Sequence, residues 1–154
     1  MTCCDAALPH FVSGRIVKGF GRGSEALGIP TANFSEDVVE KLPENLAPGI
    51  YYGWTSVDDQ VYKGVLSIGW NPFYKNEKKS METHILHNFH GPLHGKELRV
   101  VITGFIRPEK DFSSVDELIK EITNDIEIAK NRLEEPEMFK YKDHEFLKGK
   151  KEAS

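Results

Sequence analysis

The sequence contains little cysteine: its two cysteines are adjacent, at positions 3 and 4. Neighbouring cysteines seldom bridge each other, which argues against the disulfide framework of a small secreted domain. The chain also lacks an apolar run long enough to span a bilayer and an N-terminal stretch with the basic-then-apolar order of a secretory signal. We therefore expect a cytoplasmic protein that makes no membrane contact.

The chain has no excess of positive charge, since its formal net charge is −4. A nucleic-acid-binding domain normally carries a basic surface or stripe, so we expect no nucleic-acid partner. The sequence has no internal repeat, no regular alternation of strands and helices, and no Gly-x-x-x-x-Gly-Lys-Ser/Thr phosphate loop, which argues against a doubly wound nucleotide fold. The length of 154 residues suits a single domain over residues 1–154, and we expect a monomer.

Strand patterns fill most of the first two-thirds of the chain, where Gly, Pro and Asn separate segments rich in β-branched and aromatic residues. The predicted strands cover residues 11–17, 49–57, 61–70, 81–89 and 97–107. These strands precede one long helix, which indicates a mainly β, α+β antiparallel domain. The domain is predicted to be a small barrel or a sandwich with the helix packed against it.

The helix is predicted from residue 113 to about residue 135, where apolar residues recur at intervals of three and four. Ser114 and Glu117 have the spacing of a capping box at its start. Pro136 is expected to end it.

A glycine-rich run occupies residues 18–24 (KGFGRGS). Glycine tolerates positive φ and lets backbone N–H groups converge on an anion, while Lys18 and Arg22 add positive charge nearby. The run therefore fits a phosphate cradle, although a flexible β-turn has the same composition.

The following segment, residues 28–33 (GIPTAN), offers two neutral oxygen ligands, the Thr31 hydroxyl and the Asn33 amide. If the segment is extended, positions two apart point to the same face. Such a pair suits Mg²⁺, which keeps several waters and takes further ligands from substrate phosphates. Turn chemistry is the alternative, but the neighbouring glycine run favours a Mg²⁺–nucleotide site.

Glu82, within residues 81–87 (METHILH), is the candidate for proton transfer. A phosphoryl acceptor hydroxyl needs a group that takes its proton and orients its oxygen. The alternative is a solvent-facing strand carboxylate. His84 and His87 are either contacts for phosphate or adenine or plain surface residues, and two histidines alone do not make a zinc site.

Arg107, between the last predicted strand and the helix, is a candidate to bind a phosphate or a polar ring edge. The alternative is a surface arginine in a turn. Aromatic residues, among them Trp70, Phe73, Tyr74 and Phe105, either stack on a planar ring or fill the core.

Six motifs, taken in order, resemble the riboflavin kinase family in its stand-alone eukaryotic form. They lie at residues 18–24, 28–33, 49–54, 67–72, 79–84 and 107–109. The resemblance implies a six-stranded antiparallel Greek-key β-barrel over about residues 10–107, a long C-terminal helix packed on it over about 113–135, and a tail at 136–154. It also implies transfer of the ATP γ-phosphate to the ribityl 5′-hydroxyl of riboflavin, which gives FMN and ADP.

The resemblance assigns roles to individual residues. Thr31 and Asn33 would hold Mg²⁺, or Zn²⁺ or another divalent ion, with the phosphates of ATP, and Glu82 would be the catalytic carboxylate. Arg107 and Phe112 would contact the flavin. Contacts with ATP are implied for Lys18, Gly19, Phe20, Gly21, Ser24, Pro30, Thr31, Asn33, Ile85 and His87.

Residues 90–94 (HGPLH) depart from the acidic and aromatic residues expected there in animal relatives, so the resemblance assigns them no role in nucleotide binding. The chain has no room for the adenylyltransferase domain that is fused to the kinase in bacterial relatives, so the expected product is FMN. The alternative function is a non-catalytic β-barrel that binds flavin or single-stranded nucleic acid.

Overall fold

The computed structural model describes residues 8–17, 31–42, 46–58, 60–70, 79–87, 95–108 and 113–148. The strands are β1 (His10–Val17), β2 (Thr31–Phe34), β3 (Gly49–Val57), β4 (Gln60–Trp70), β5 (Lys79–Ile85) and β6 (Glu97–Arg107). The helices are α1 (Glu36–Val39), α2 (Val115–Leu133) and α3 (Pro136–Phe139), followed by 3₁₀ turns at Lys140–Asp143 and Glu145–Lys148. Within these ranges, no helix is both long and apolar enough to cross a membrane.

The six strands form a closed antiparallel barrel in the order β1-β2-β5-β4-β3-β6. Three consecutive strands, β3, β4 and β5, lie side by side, and β6 returns to lie beside β3, which is the Greek-key arrangement. The predicted six-stranded Greek-key barrel is therefore confirmed, and the sandwich alternative is wrong. Closure of the barrel gives each strand a neighbour on both sides.

Two of the strands differ from their prediction. The four-residue strand β2 is too short to show a periodic pattern and was not among the predicted strands. β5 begins at Lys79 and ends at Ile85 rather than spanning 81–89. It ends there because the chain bends at Leu86 and His87, where the His87 N–H donates to the Ile85 carbonyl at 2.8 Å.

Alternation of side chains gives the barrel an inner and an outer face. The inner face is an apolar core in which Leu66, Ile68, Ile85 and Ile102 are fully buried. Residues at the alternate positions of the same strands point outward. In β5 these are Glu82 and His84.

Helix α2 covers the outer face of β3, β4 and β6. Its stripe of Ile126, Ala129 and Leu133 packs on a second apolar cluster that includes Trp54 and Val65. Ser114 caps the helix, as predicted, by accepting the Glu117 backbone N–H at 3.2 Å.

The chain after α2 is also part of the folded domain. α2 ends at Leu133, and Pro136, the predicted end signal, begins α3 instead, because the first turn of a helix does not need the N–H that proline lacks. Trp54 Nε1 donates to the Met138 carbonyl at 2.9 Å, and Leu147 is fully buried in the outer cluster. The segment predicted as a tail therefore packs on the barrel through residue 148.

Candidate active site

A row of three polar residues crosses the outer face of the barrel on β2, β5 and β4. Asn33 is the Cα partner of Glu82, and Ser67 is the partner of Glu82 on the other side. Residues directly opposite each other on antiparallel strands share a face, with Cβ atoms about 4.5–5.5 Å apart. The candidate metal ligand Asn33 and the candidate proton acceptor Glu82 therefore lie side by side.

A second row runs parallel to the first and contains Thr31, His84 and Val65. Residues 31–34 are extended, as the metal-site prediction requires, so positions 31 and 33 share the outer face. Glu82 is half-buried, and its Oε1 atom is shielded from solvent. The pairing of Asn33 with Glu82 places one amide and one carboxylate on a single patch of the barrel wall.

His84 is a buried neutral base next to this patch. The residue is 7% exposed, and burial lowers its pKa from 6.5 to about 4. Its Nδ1 atom is buried and makes no hydrogen bond in the part of the chain that the structure describes. A neutral imidazole carries no charge at neutral pH, so His84 does not supply a cation for phosphate.

The buried state of His84 predicts a pH-dependent loss of stability. Between its unfolded pKa of 6.5 and its folded pKa of about 4, the unfolded chain binds a proton that the folded chain does not, so stability falls as the pH is lowered through this window. Between about pH 7.5 and about pH 5, His84 should lower the free energy of unfolding by about 2 kcal/mol.

Urea unfolding of wild type and of His84→Gln at both pH values, without nucleotide or metal, measures this effect. Between the two pH values, the free energy of unfolding of His84→Gln should fall by about 2 kcal/mol less than that of wild type. Asn131→Ala, at an exposed position near the end of α2, is the control, because it removes no titratable group and should leave the dependence unchanged. An equal pH dependence in wild type and His84→Gln would contradict the prediction.

A β-bulge sets the direction of Arg107. Tyr51 pairs with Phe105, but Ile50 pairs with Arg107, so the register between β3 and β6 shifts by one residue. Phe105 packs against the inner core, and regular alternation would turn Arg107 inward as well. The extra residue reverses its face, which is the usual effect of a bulge.

On the outer face, Arg107 meets helix α2. Its Nε donates to Asp125 Oδ1 at 3.0 Å and its Nη2 donates to Asp125 Oδ2 at 2.8 Å. The strand that carries Arg107, β6, lies three strands from β5 in either direction around the barrel. The row that contains Glu82 and Ser67 nevertheless continues through Ile50 on β3 to Arg107, so the two residues lie at the same level of the barrel.

The other predicted contacts fall in different places. Ile85 faces the inner core and is fully buried, so a nucleotide contact at this position would have to come from its backbone. His87 is exposed and stacks on Tyr62, with ring centroids 4.3 Å apart. Several residues lie outside the described ranges: Lys18, Gly19, Phe20, Gly21, Ser24, Pro30, Phe112, the aromatic residues Phe73 and Tyr74, and residues 90–94.

Two residues that lie next to Glu82 and Arg107 in the structure, Ser67 and Asp125, had no individual role in the sequence analysis. Ser67 begins the motif at residues 67–72, and the register that places it beside Glu82 connects it with the candidate site. Asp125 did have a sequence signal, because it falls on the apolar stripe of α2, three residues after Ile122 and four before Ala129. An acidic residue on a buried stripe requires a partner.

Comparison with known proteins identifies the family. The family model described as "Flavokinase: Riboflavin kinase" matches residues 6–133. Human riboflavin kinase is 57% identical over 141 residues, which cover 91% of this chain and 91% of that protein.

Solved structures are also similar. Riboflavin kinase from Trypanosoma brucei matches with a TM-score of 0.69 and 26% identity, over 87% of this chain and 85% of that chain. A chain titled macrolide-efflux protein, from Streptococcus pneumoniae, matches with a TM-score of 0.66 and 28% identity, over 80% of this chain but 39% of that one. The barrel, the family model and the identity to the human protein agree, and this chain belongs to the riboflavin kinase family.

Proposed function

We propose that this kinase transfers the γ-phosphate of ATP to the ribityl 5′-hydroxyl of riboflavin, giving FMN and ADP. Membership of the riboflavin kinase family supports this reaction over the non-catalytic barrel. Among the structural observations, the pairing of Asn33 with Glu82 carries the most weight. It brings a neutral oxygen ligand and a carboxylate within one side-chain length of each other, as phosphoryl transfer to a hydroxyl requires.

In this proposal Glu82 acts on the acceptor hydroxyl. Its carboxylate orients the hydroxyl and accepts the proton as the oxygen–phosphorus bond forms and the bond to the ADP oxygen breaks. The transition state of phosphoryl transfer is loose, so correct placement of the hydroxyl matters more than strong basicity. The half-buried position of Glu82, on a strand that is paired on both sides, suits a base that positions the hydroxyl.

Asn33 and Thr31 would hold Mg²⁺ in the proposed site. Their donors are a neutral amide and a neutral hydroxyl, and in the described ranges no group of three or more His, Cys, Asp or Glu residues comes together. Such sparse, oxygen-only ligation fits Mg²⁺, whose other ligands are waters and phosphates, better than Zn²⁺, which prefers nitrogen and sulfur. Bound Mg²⁺ would neutralise charge on the ATP phosphates.

The remaining predicted contacts complete the proposal. Residues 18–24, Pro30 and His87 would contact ATP, and Arg107 and Phe112 would border the flavin. We also propose that the enzyme works as a cytoplasmic monomer without nucleic acid, in keeping with its net charge of −4.

A direct assay tests the proposed reaction. Purified protein incubated with ATP, Mg²⁺ and riboflavin should produce FMN and ADP in equal amounts, measured by chromatography with flavin fluorescence and ultraviolet detection. Omission of ATP is the control and should yield no FMN. Absence of FMN from protein that is folded by circular dichroism would overturn the proposal.

A further inference from the structure

Helix α2 carries a buried carboxylate on its apolar stripe. Asp125 is 2% exposed and neighbours the buried Ile126 and Ala129. An ionised carboxylate in such a place costs several kcal/mol unless it is paired and hydrogen-bonded. Apolar residues of similar size would fill the stripe without that cost, so the fold alone does not account for Asp125.

Among the described residues, Asp125 binds one edge of the Arg107 guanidinium. Both carboxylate oxygens accept from it, at 3.0 Å from Nε and 2.8 Å from Nη2. Glu121 lies one turn earlier in α2, with Oε1 3.4 Å from the same Nε. Nη1 donates to the Pro108 carbonyl at 3.2 Å. A planar fork held at this many points has one orientation, which a lysine ammonium could not reproduce.

The two carboxylates also change the charge that Arg107 presents. Among the described residues, the guanidinium carries one positive charge and lies beside two negative ones, so this group of three has no net positive charge. A cluster of this kind is poorly suited to bind an anion but well suited to offer a fixed planar donor to a neutral ring. The surrounding side chains keep this geometry, since Arg107 is 16% exposed and Glu121 is 25% exposed.

We propose that Asp125, supported by Glu121, is a positioning residue of the flavin site, which holds the Arg107 guanidinium in one plane for contact with the neutral ring system of riboflavin. The inference rests on the proposed function. It makes α2 a component of the substrate site in addition to a cover for the barrel.

The test is a comparison of Asp125→Asn with Arg107→Lys. Both variants should weaken binding of riboflavin, measured by flavin fluorescence without ATP, by about tenfold, as expected when a charge-assisted hydrogen bond is weakened. Binding of lumiflavin, which has the ring but no ribityl chain, should weaken by the same factor. The KM for ATP should stay within about twofold of wild type, and the double variant should bind riboflavin no worse than either single variant.

Glu134→Gln is the matched control. Glu134 pairs with Lys63 at the other end of α2, at 3.4 Å, and is 59% exposed. Its removal should leave riboflavin binding unchanged. If Asp125→Asn does not fold, the more exposed Glu121→Gln should still weaken riboflavin and lumiflavin binding by about two- to threefold.

Unchanged flavin binding in folded Asp125→Asn, or in Glu121→Gln where the former does not fold, would overturn the inference. So would a parallel loss of ATP and flavin affinity with a lowered Tm, because that pattern marks a purely structural ion pair. Failure of the proposed reaction itself is separate, since it would appear as absence of FMN with wild-type protein.

Discussion

Glu82→Gln is expected to lower kcat by about 10²- to 10⁴-fold, the range that a general base contributes. The amide keeps the size of the side chain and its place opposite Asn33, but it cannot accept the proton of the attacking hydroxyl. The KM for ATP should stay within about twofold, because the change affects the acceptor rather than the nucleotide. Steady-state kinetics with riboflavin and ATP varied separately measures both quantities.

Two further variants sharpen this result. Glu97→Gln removes an exposed carboxylate at the start of β6, on the opposite wall of the barrel, and should leave kcat unchanged. Glu82→Asp keeps the charge but withdraws it by one methylene, so kcat should fall to a value between those of wild type and Glu82→Gln. A kcat for Glu82→Gln within about threefold of wild type would remove the assignment of Glu82 as the base.

Asn33→Ala is expected to raise the Mg²⁺ concentration for half-maximal activity by at least about tenfold, because even supporting residues of metal sites contribute factors of that size. Thr31→Ala should act in the same direction, since positions 31 and 33 share a face of β2. Added Mg²⁺ should restore much of kcat in both variants, whereas it should not restore Glu82→Gln.

The measurement is a Mg²⁺ titration of activity, repeated for binding of ADP by calorimetry so that affinity is observed without turnover. Asn131→Ala, at an exposed position near the end of α2, is the control and should titrate as wild type. Superimposable Mg²⁺ curves for Asn33→Ala and wild type would contradict the metal assignment.

Local sequence patterns were sufficient for most of the elements. The alternation of apolar residues in β6 and the three-and-four spacing in α2 depend only on neighbours within a few residues, and both elements were found within two residues of their ends. The cap at Ser114 is local in the same sense. Local patterns did not predict β2, which is only four residues long. They also did not predict the packing of the chain after Leu133, because burial of Leu147 depends on contact with distant strands.

In the candidate site, too, the residue types were predictable from the sequence, whereas their proximity depends on contacts between distant strands. The residue types at Thr31, Asn33 and Glu82 suggested their chemistry directly from the sequence, with the family resemblance adding their roles. Their proximity did not follow from it, because Asn33 and Glu82 meet only when β2 pairs with β5, two strands that are far apart in the chain. Ile85 was assigned to the ATP contacts by the resemblance, but the alternation of side chains along β5 places it on the inner face of the barrel.

Arg107 best separates what the sequence determines from what the tertiary structure decides. By itself the sequence determined a mainly β chain with one amphipathic helix, an ordered set of nucleotide and flavin motifs, and an arginine at the strand–helix junction. The side that this arginine faces depends on a one-residue bulge opposite Ile50, and Asp125, which binds it, lies nearly three turns into α2. Because hydrogen-bond register and side-chain contacts join residues that are distant in the chain, only the folded barrel could establish them.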